Sequence, residues 1–176
     1  RVSREHPGYY RRIVAAIRRV TPFFDDFVLR PDPSERIRLR WKQRGLDRTF
    51  LAREASDGTL RFICLATLLL GPDLPATVVL DEPELGLHPA AIDLLAEMAR
   101  VAGRNGHRVL LATQSVPLVS HFDLGEIVVL DRVDGATEAS RPDEAFLAAF
   151  LENYSTGNLW EMNLLGGRPT KEGRIL

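Results

Sequence analysis

The chain has 176 residues, 45% of them hydrophobic, one cysteine and a formal net charge of −1. That size supports one compact domain with a real core. It excludes an internal disulfide, and no leader pattern or membrane-length apolar run is present, so a reducing, cytoplasmic setting without membrane contact is expected.

The near-neutral total conceals an asymmetry. Residues 1–61 hold 15 Lys/Arg against 8 Asp/Glu, and residues 62–176 hold 8 against 16. A basic segment can mark a phosphate or nucleic-acid surface, or it can complement an acidic neighbour within the fold. The sequence opens at Arg1 rather than Met and runs directly into charged helical sequence, which reads as a fragment or a processed piece.

Tyr9 to Val20 places Tyr10, Ile13, Val14 and Ile17 at helical spacing with arginines elsewhere on the wheel, an amphipathic helix that Pro22 ends. After the short stretch Phe27-Val28-Leu29 and the turn marked by Pro31 and Pro33, Arg36 to Lys42 alternates strictly. Arg36, Arg38, Arg40 and Lys42 share one face, with Ile37, Leu39 and Trp41 on the other. The cations recur every ~6.5–7 Å, close to the phosphate repeat of an extended nucleic-acid strand, so nucleic acid is a possible partner. Gly45 and Asp47 mark a turn, and Thr49 to Glu54 is the returning strand of an antiparallel hairpin.

Ser56 or Asp57 caps a long apolar helix running through Leu70, in which Cys64 reads as a packing residue. A small, glycine-containing helix start is also an anion site, although serine and aspartate open many helices for purely structural reasons. Thr77 to Leu80 follows as an apolar run without alternation, which suits a strand covered on both faces. It stops at Asp81 and Glu82, on the carboxyl edge where open α/β sheets bind ligands. Successive strand residues point to opposite sides, so one acid can serve a metal and the other a water. An acidic pair favouring the first turn of the next helix is the structural alternative.

Pro89 to Val101 is a helix with Ile92, Leu95, Ala96 and Ala99 inward, closed by Gly103 and Gly106. Arg108 to Thr113 and Ile127 to Leu130 read as two further buried strands, giving a parallel, right-handed α/β arrangement in which Asp81, Glu82 and Gln114 converge on one edge. Asp143 to Tyr154 is a helix, and Ser155 to Leu176 reads as Gly-rich coil.

Three stretches in order, Ala55-Ser56-Asp57-Gly58-Thr59, Val79-Leu80-Asp81-Glu82-Pro83-Glu84-Leu85-Gly86-Leu87-His88-Pro89 and Ala112-Thr113-Gln114-Ser115, resemble the signature, Walker B, D-loop and switch of ABC-type ATPases. They are most similar to bacterial ATPases related to the RecF and chromosome-maintenance (SMC) proteins. The tail from Leu151 to Trp160 and Leu165 to Pro169 also resembles the end of such proteins. The resemblance implies a partial P-loop NTPase core of parallel strands flanked by helices, preceded by an N-terminal helix and antiparallel hairpin. One domain over 1–176 is then expected: helix and basic hairpin in 1–54, signature helix and core in 55–140, and a C-terminal helix and tail in 141–176.

The same resemblance implies roles. Asp81 matches the acid that holds Mg²⁺, and Glu82 the general base that orients water on the γ-phosphate of ATP. Gln114 stands at the switch position, where many relatives carry His, and its amide can still donate a hydrogen bond. Ser56, Asp57 and Gly58 match the signature, which contacts nucleotide on the opposite subunit, and His88 stands in the D-loop. A homodimer through that face is implied, acting on DNA in repair or phage defence. His88 can equally be a helix-entry residue before Pro89.

One part is missing. The phosphate-binding loop Gly-x-x-x-x-Gly-Lys-Ser/Thr is absent, since Lys42 and Lys171 are the only lysines and are followed by Gln43 and Glu172. The chain thus reads as the C-terminal portion of an ATPase. A non-catalytic interaction domain derived from such an enzyme stays open beside it, and a metal nuclease using Asp81 and Glu82 is a more distant third.

Overall fold

The computed structural model describes residues 1–29 and 38–167, which form two compact units, Arg1–Thr113 and Gln114–Leu176. In the first unit a short helix α1 (Val2–Glu5) leads into α2 (Pro7–Val20), whose buried face is Ile13, Val14, Ala16 and Ile17. Strands β1 (Phe24–Phe27), β2 (Arg40–Gln43) and β3 (Thr49–Leu51) form an antiparallel sheet with β2 in the centre. Aromatic rings hold it together. Trp41 stacks on Phe50 with centroids 4.9 Å apart and on Phe24 at 5.9 Å, and buried aromatics of this size dominate core energetics.

The hairpin turn is where the sequence puts it, with Gly45 at φ +76°. The returning segment is strand only to Leu51, and Ala52–Glu54 is a 3-10 turn. Of the basic row, Arg36 and Ile37 lie outside the described residues. Trp41 is buried and Lys42 exposed, as alternation requires, but Arg40 is half-buried and Leu39 is exposed. Of the row, Arg40 and Lys42 lie on the central strand β2, Lys42 in register with Asp26 of β1.

Helix α3 (Asp57–Leu69) buries Phe62, Ile63, Leu65, Ala66 and Leu69. Cys64 is exposed, which corrects the packing role expected of it: it falls on the outward stripe with Arg61 and Thr67, three residues to either side. Helix α4 (Pro89–Arg104) runs a turn longer than the glycines implied and buries eight residues, among them Ile92, Leu95, Ala96 and Ala99. Gly103 lies inside it, and Gly106 (φ +90°) follows it. Both helices pack together, and α4 packs on the strand that follows it.

Strands β4 (Thr77–Asp81) and β5 (Arg108–Ala112) pair in parallel, from Thr77 opposite Arg108 to Asp81 opposite Ala112. They are not covered on both faces. Val78 is buried and Leu80, Val109 and Leu111 are half-buried, whereas Thr77, Val79, Asp81, Arg108, Leu110 and Ala112 are all exposed, Val79 at 69% and Leu110 at 53%. The unbroken apolar run predicts cover on both faces, and that expectation is corrected here: among the described residues only one face is covered.

The second unit contains α5 (Val116–Val119), β6 (Val129–Val133), β7 (Ala136–Ser140), α6 (Glu144–Leu151) and α7 (Thr156–Glu161). Its core is Leu124, Val129, Leu147, Leu159 and Leu165. The expected third parallel strand is instead one arm of a hairpin: β6 pairs antiparallel with β7 across Asp134-Gly135, both in the left-handed region. Among the described residues two parallel strand ends share an edge, then, rather than three. The described part of the expected coil, Ser155 to Gly167, holds a helix instead, because Ser155 and Asn158 form a reciprocal capping box that starts α7; the rest of that stretch lies outside the described residues.

Candidate functional site

The carboxyl end of β4 turns sharply, and the turn is pinned from three sides. Glu82 N–H donates to the Ala112 carbonyl (2.8 Å), which extends the parallel ladder by one residue. The Glu82 carbonyl accepts from Leu85 N–H (3.2 Å) and from Arg61 Nη1 of α3 (3.2 Å). Between these ties Glu82 takes φ +40°, a conformation uncommon outside glycine that costs on the order of 1–3 kcal/mol and persists where its surroundings over-determine it.

Asp81 and Glu82 occupy different environments. Asp81 is exposed on the open face of β4, in line with Val79, while Glu82 is half-buried in the turn. The adjacent acids are thus separated, Asp81 facing outward and Glu82 held through its main chain by the Arg61 side chain of α3 and the Ala112 carbonyl of β5.

The start of α3 lies against the same turn. Ser56 is the N-cap, its Oγ accepting from Thr59 N–H at 3.2 Å. A Cβ on Gly58 would stand 2.2 Å from the Gly86 carbonyl oxygen, so only glycine fits there. Gly86 itself has φ +75°, and His88 follows as the exposed N-cap of α4, its Nδ1 accepting from Ala90 N–H at 3.3 Å. The helix-entry role of His88 is therefore directly visible. Ser56 and Asp57 are exposed and Gly58 half-buried, so the expected signature and D-loop residues border one surface of the first unit. Gln114 is exposed and is the first residue of the second unit, one position after the strand-end residue Thr113.

Three further residues belong to this neighbourhood and have no role expected from the sequence: Arg61, which lies outside the motif stretches, and Glu84 and Thr113, which lie within them. Thr113 Oγ1 donates to Glu84 Oε1 across the strand ends, and Glu84 is buried. The last acid of Asp-Glu-Pro-Glu is visible as a residue type, but its contact spans 29 positions and no local pattern encodes it.

The family model described as "AAA domain, putative AbiEii toxin, Type IV TA system" matches residues 2–120. No individual curated protein matches by sequence. Among solved structures, one from work on ATP-driven dimerization and DNA stimulated activation of SMC ATPases is similar at 15% identity and TM-score 0.62, over 85% of this chain and 92% of that one. The Pyrococcus furiosus Smc head domain bound to the C-terminal domain of ScpA is similar at 14% identity and TM-score 0.63, over 83% and 37%. For the SMC head domain from Thermotoga maritima the values are 14%, 0.55, 81% and 50%. The chain thus spans half or less of the latter two. At these identities the likeness is one of fold, that of the SMC ATPase head. With the sequence match over residues 2–120, it establishes that this chain belongs to the AAA domain family of that description.

Proposed function

We propose that this chain is the hydrolytic portion of a nucleotide-gated ATPase that works with a phosphate-binding loop supplied elsewhere in the protein. The observation that carries this reading is the pinned turn at the end of β4. It holds Glu82 in a left-handed conformation and separates it from the outward carboxylate of Asp81.

Among the described residues no three His, Cys, Asp or Glu side chains gather to cage a metal. A lone exposed carboxylate such as Asp81 still fits Mg²⁺, which keeps several waters and takes the rest of its shell from substrate phosphates. When bound, Mg²⁺ would neutralise charge developing on the phosphates. Glu82 then acts as general base, its carboxylate accepting a proton from the attacking water, while its main chain is held by Ala112, Leu85 and Arg61. Gln114 donates its amide to the terminal phosphate. Ser56, Asp57, Gly58 and His88 present a nucleotide-contacting surface to a second copy, which makes the active unit a homodimer.

Action on DNA, in repair or phage defence, is the finer part of the proposal. Three things support it: the DNA stimulated activation of the SMC ATPases that share this fold, the toxin for which the family is named, and the exposed cations Arg38 and Lys42.

The test is ATP hydrolysis by the protein with its phosphate-loop half. Glu82→Gln should leave ATP binding intact and lower kcat by several orders of magnitude, with the dimer persisting. Wild-type protein that binds no ATP would favour the non-catalytic interaction domain instead. Unchanged hydrolysis in Glu82→Gln would place the base elsewhere.

A further inference from the structure

Glu84 is a buried carboxylate, 8% exposed, beside an exposed acid, Asp81, and a half-buried one, Glu82. Its Oε1 accepts from the Thr113 hydroxyl, and its Oε2, also buried, has no hydrogen-bond partner among the described residues. A buried acid with half of its acceptor capacity unmet is unfavourable for folding, and an apolar side chain of similar volume would pack there at less cost. Such a residue calls for a role other than stability.

Its place in the turn supplies one. The turn is joined to the end of β5 at two points: Glu82 N–H to the Ala112 carbonyl, and the Glu84 side chain to the Thr113 side chain. The first belongs to the backbone ladder and is indifferent to residue type. The second depends on these two side chains, and it closes a short loop that contains Glu82 at φ +40°. The Glu84 carbonyl also accepts from Leu87 N–H (2.9 Å), which carries the same constraint toward Gly86 and His88.

We propose that Glu84 and Thr113 form a positioning clamp that fixes the Glu82 carboxylate for proton abstraction. The inference rests on the ATPase reading above. Neither residue touches substrate; both act through the backbone of the turn. Loss of the clamp leaves the acids present and lets the turn relax from its left-handed geometry. The chemical step then slows, while nucleotide affinity, set mainly by the phosphate loop, is retained.

The experiment compares Thr113→Val, Thr113→Ser, Glu84→Ala and the Glu84→Ala/Thr113→Val double variant in the protein carrying its phosphate loop. It measures kcat and KM for ATP, together with amide hydrogen exchange at Glu82. Thr113→Val is isosteric and removes the hydroxyl. It should lower kcat about ten- to a hundredfold, the worth of one hydrogen bond to a charged group, with KM within about twofold and faster exchange at Glu82. Thr113→Ser should recover most of the lost rate. The double variant should be no slower than Glu84→Ala, because both single changes break one contact.

Wild-type kcat in Thr113→Val, a serine variant as slow as the valine variant, or losses that multiply in the double variant would each overturn the clamp. If Glu84→Ala does not fold, the Thr113 variants decide alone. If wild-type protein does not hydrolyse ATP, the ATPase reading fails. Exchange at Glu82 then still reports on the clamp, and an unaltered rate in Thr113→Val overturns it separately.

Discussion

Replacing Gly58 by alanine sets two known effects against each other, and the structure decides the sign. Alanine is favoured over glycine in a helix by up to ~1 kcal/mol, so on propensity alone Gly58→Ala would stabilise α3. The added Cβ, however, would stand 2.2 Å from the Gly86 carbonyl oxygen, 3.2 Å from its carbon and 3.9 Å from Leu87 Cα, all backbone atoms. No side chain can swing aside. Relief requires either α3 or the Gly86 turn to move by roughly 1 Å, and overpacking of this kind costs about 1–3 kcal/mol. The clash wins, with a net loss on the order of 1–2 kcal/mol. Gly103 in α4 is the internal control, since a Cβ there meets nothing within 4 Å. Gly103→Ala should be neutral or stabilising by up to ~1 kcal/mol. Urea denaturation of the two variants and the wild type, at constant m-value, measures the difference. A Gly58→Ala variant as stable as Gly103→Ala would refute the close approach of α3 to the turn after Glu82.

The isolated chain should neither bind nor hydrolyse ATP with useful affinity, since Mg²⁺ on one carboxylate is weak without phosphates gripped by a loop; micromolar binding by calorimetry would contradict this. Tyr10 should titrate above the ordinary tyrosine range. Its hydroxyl donates to Asp26 Oδ1 at 2.5 Å, and burial first, then that hydrogen bond and the Asp26 charge, push its pKa up from 10.0. Because the protonated phenol is the form favoured by folding, the stability it contributes is present in full below about pH 10 and is lost as pH rises towards the folded value. Tyr10→Phe should abolish that alkaline slope in denaturation followed from roughly pH 8 to 11. Exposed Val79 and Leu110 should make the isolated chain self-associate, and Val79→Lys with Leu110→Lys should reduce light scattering at high concentration with little effect on unfolding.

Local signals carry much of the fold. The 3.6-residue period of Ile13, Val14 and Ile17, the Ser56 cap and the inward residues of α4 are all legible because each depends on neighbours within a turn or two. The hairpin of β6 and β7 is equally local, since Asp134-Gly135 is a strong type I′ signal. The apolar run Ile127 to Leu130 masks it, because on its own that run looks like another buried parallel strand. At the site, the order of Ser56, Gly58, Asp81, Glu82 and His88 can be read from the chain. The Glu84 contact with Thr113 and the approach of Gly58 to Gly86 cannot, because they join residues 28 or more positions apart through packing alone. Cys64 shows the limit of reading an apolar run: the adjacent Ile63 and Leu65 predict burial, whereas the helical period groups it with Arg61 and Thr67 on the outward stripe.

The open face of β4 and β5 has a consequence for when chemistry is possible. Asp81 and Val79 lie two residues apart on that face, about 6.5–7 Å from each other, and Leu110 stands opposite Val79. Any body that shields the two aliphatic side chains from water, each contributing about 1.5–3 kcal/mol on full burial, necessarily arrives beside the carboxylate as well. Under the ATPase reading proposed above, assembly and activation would be one thermodynamic event: the surface that makes the chain prone to stick also keeps the Asp81 carboxylate in bulk water until that face is covered.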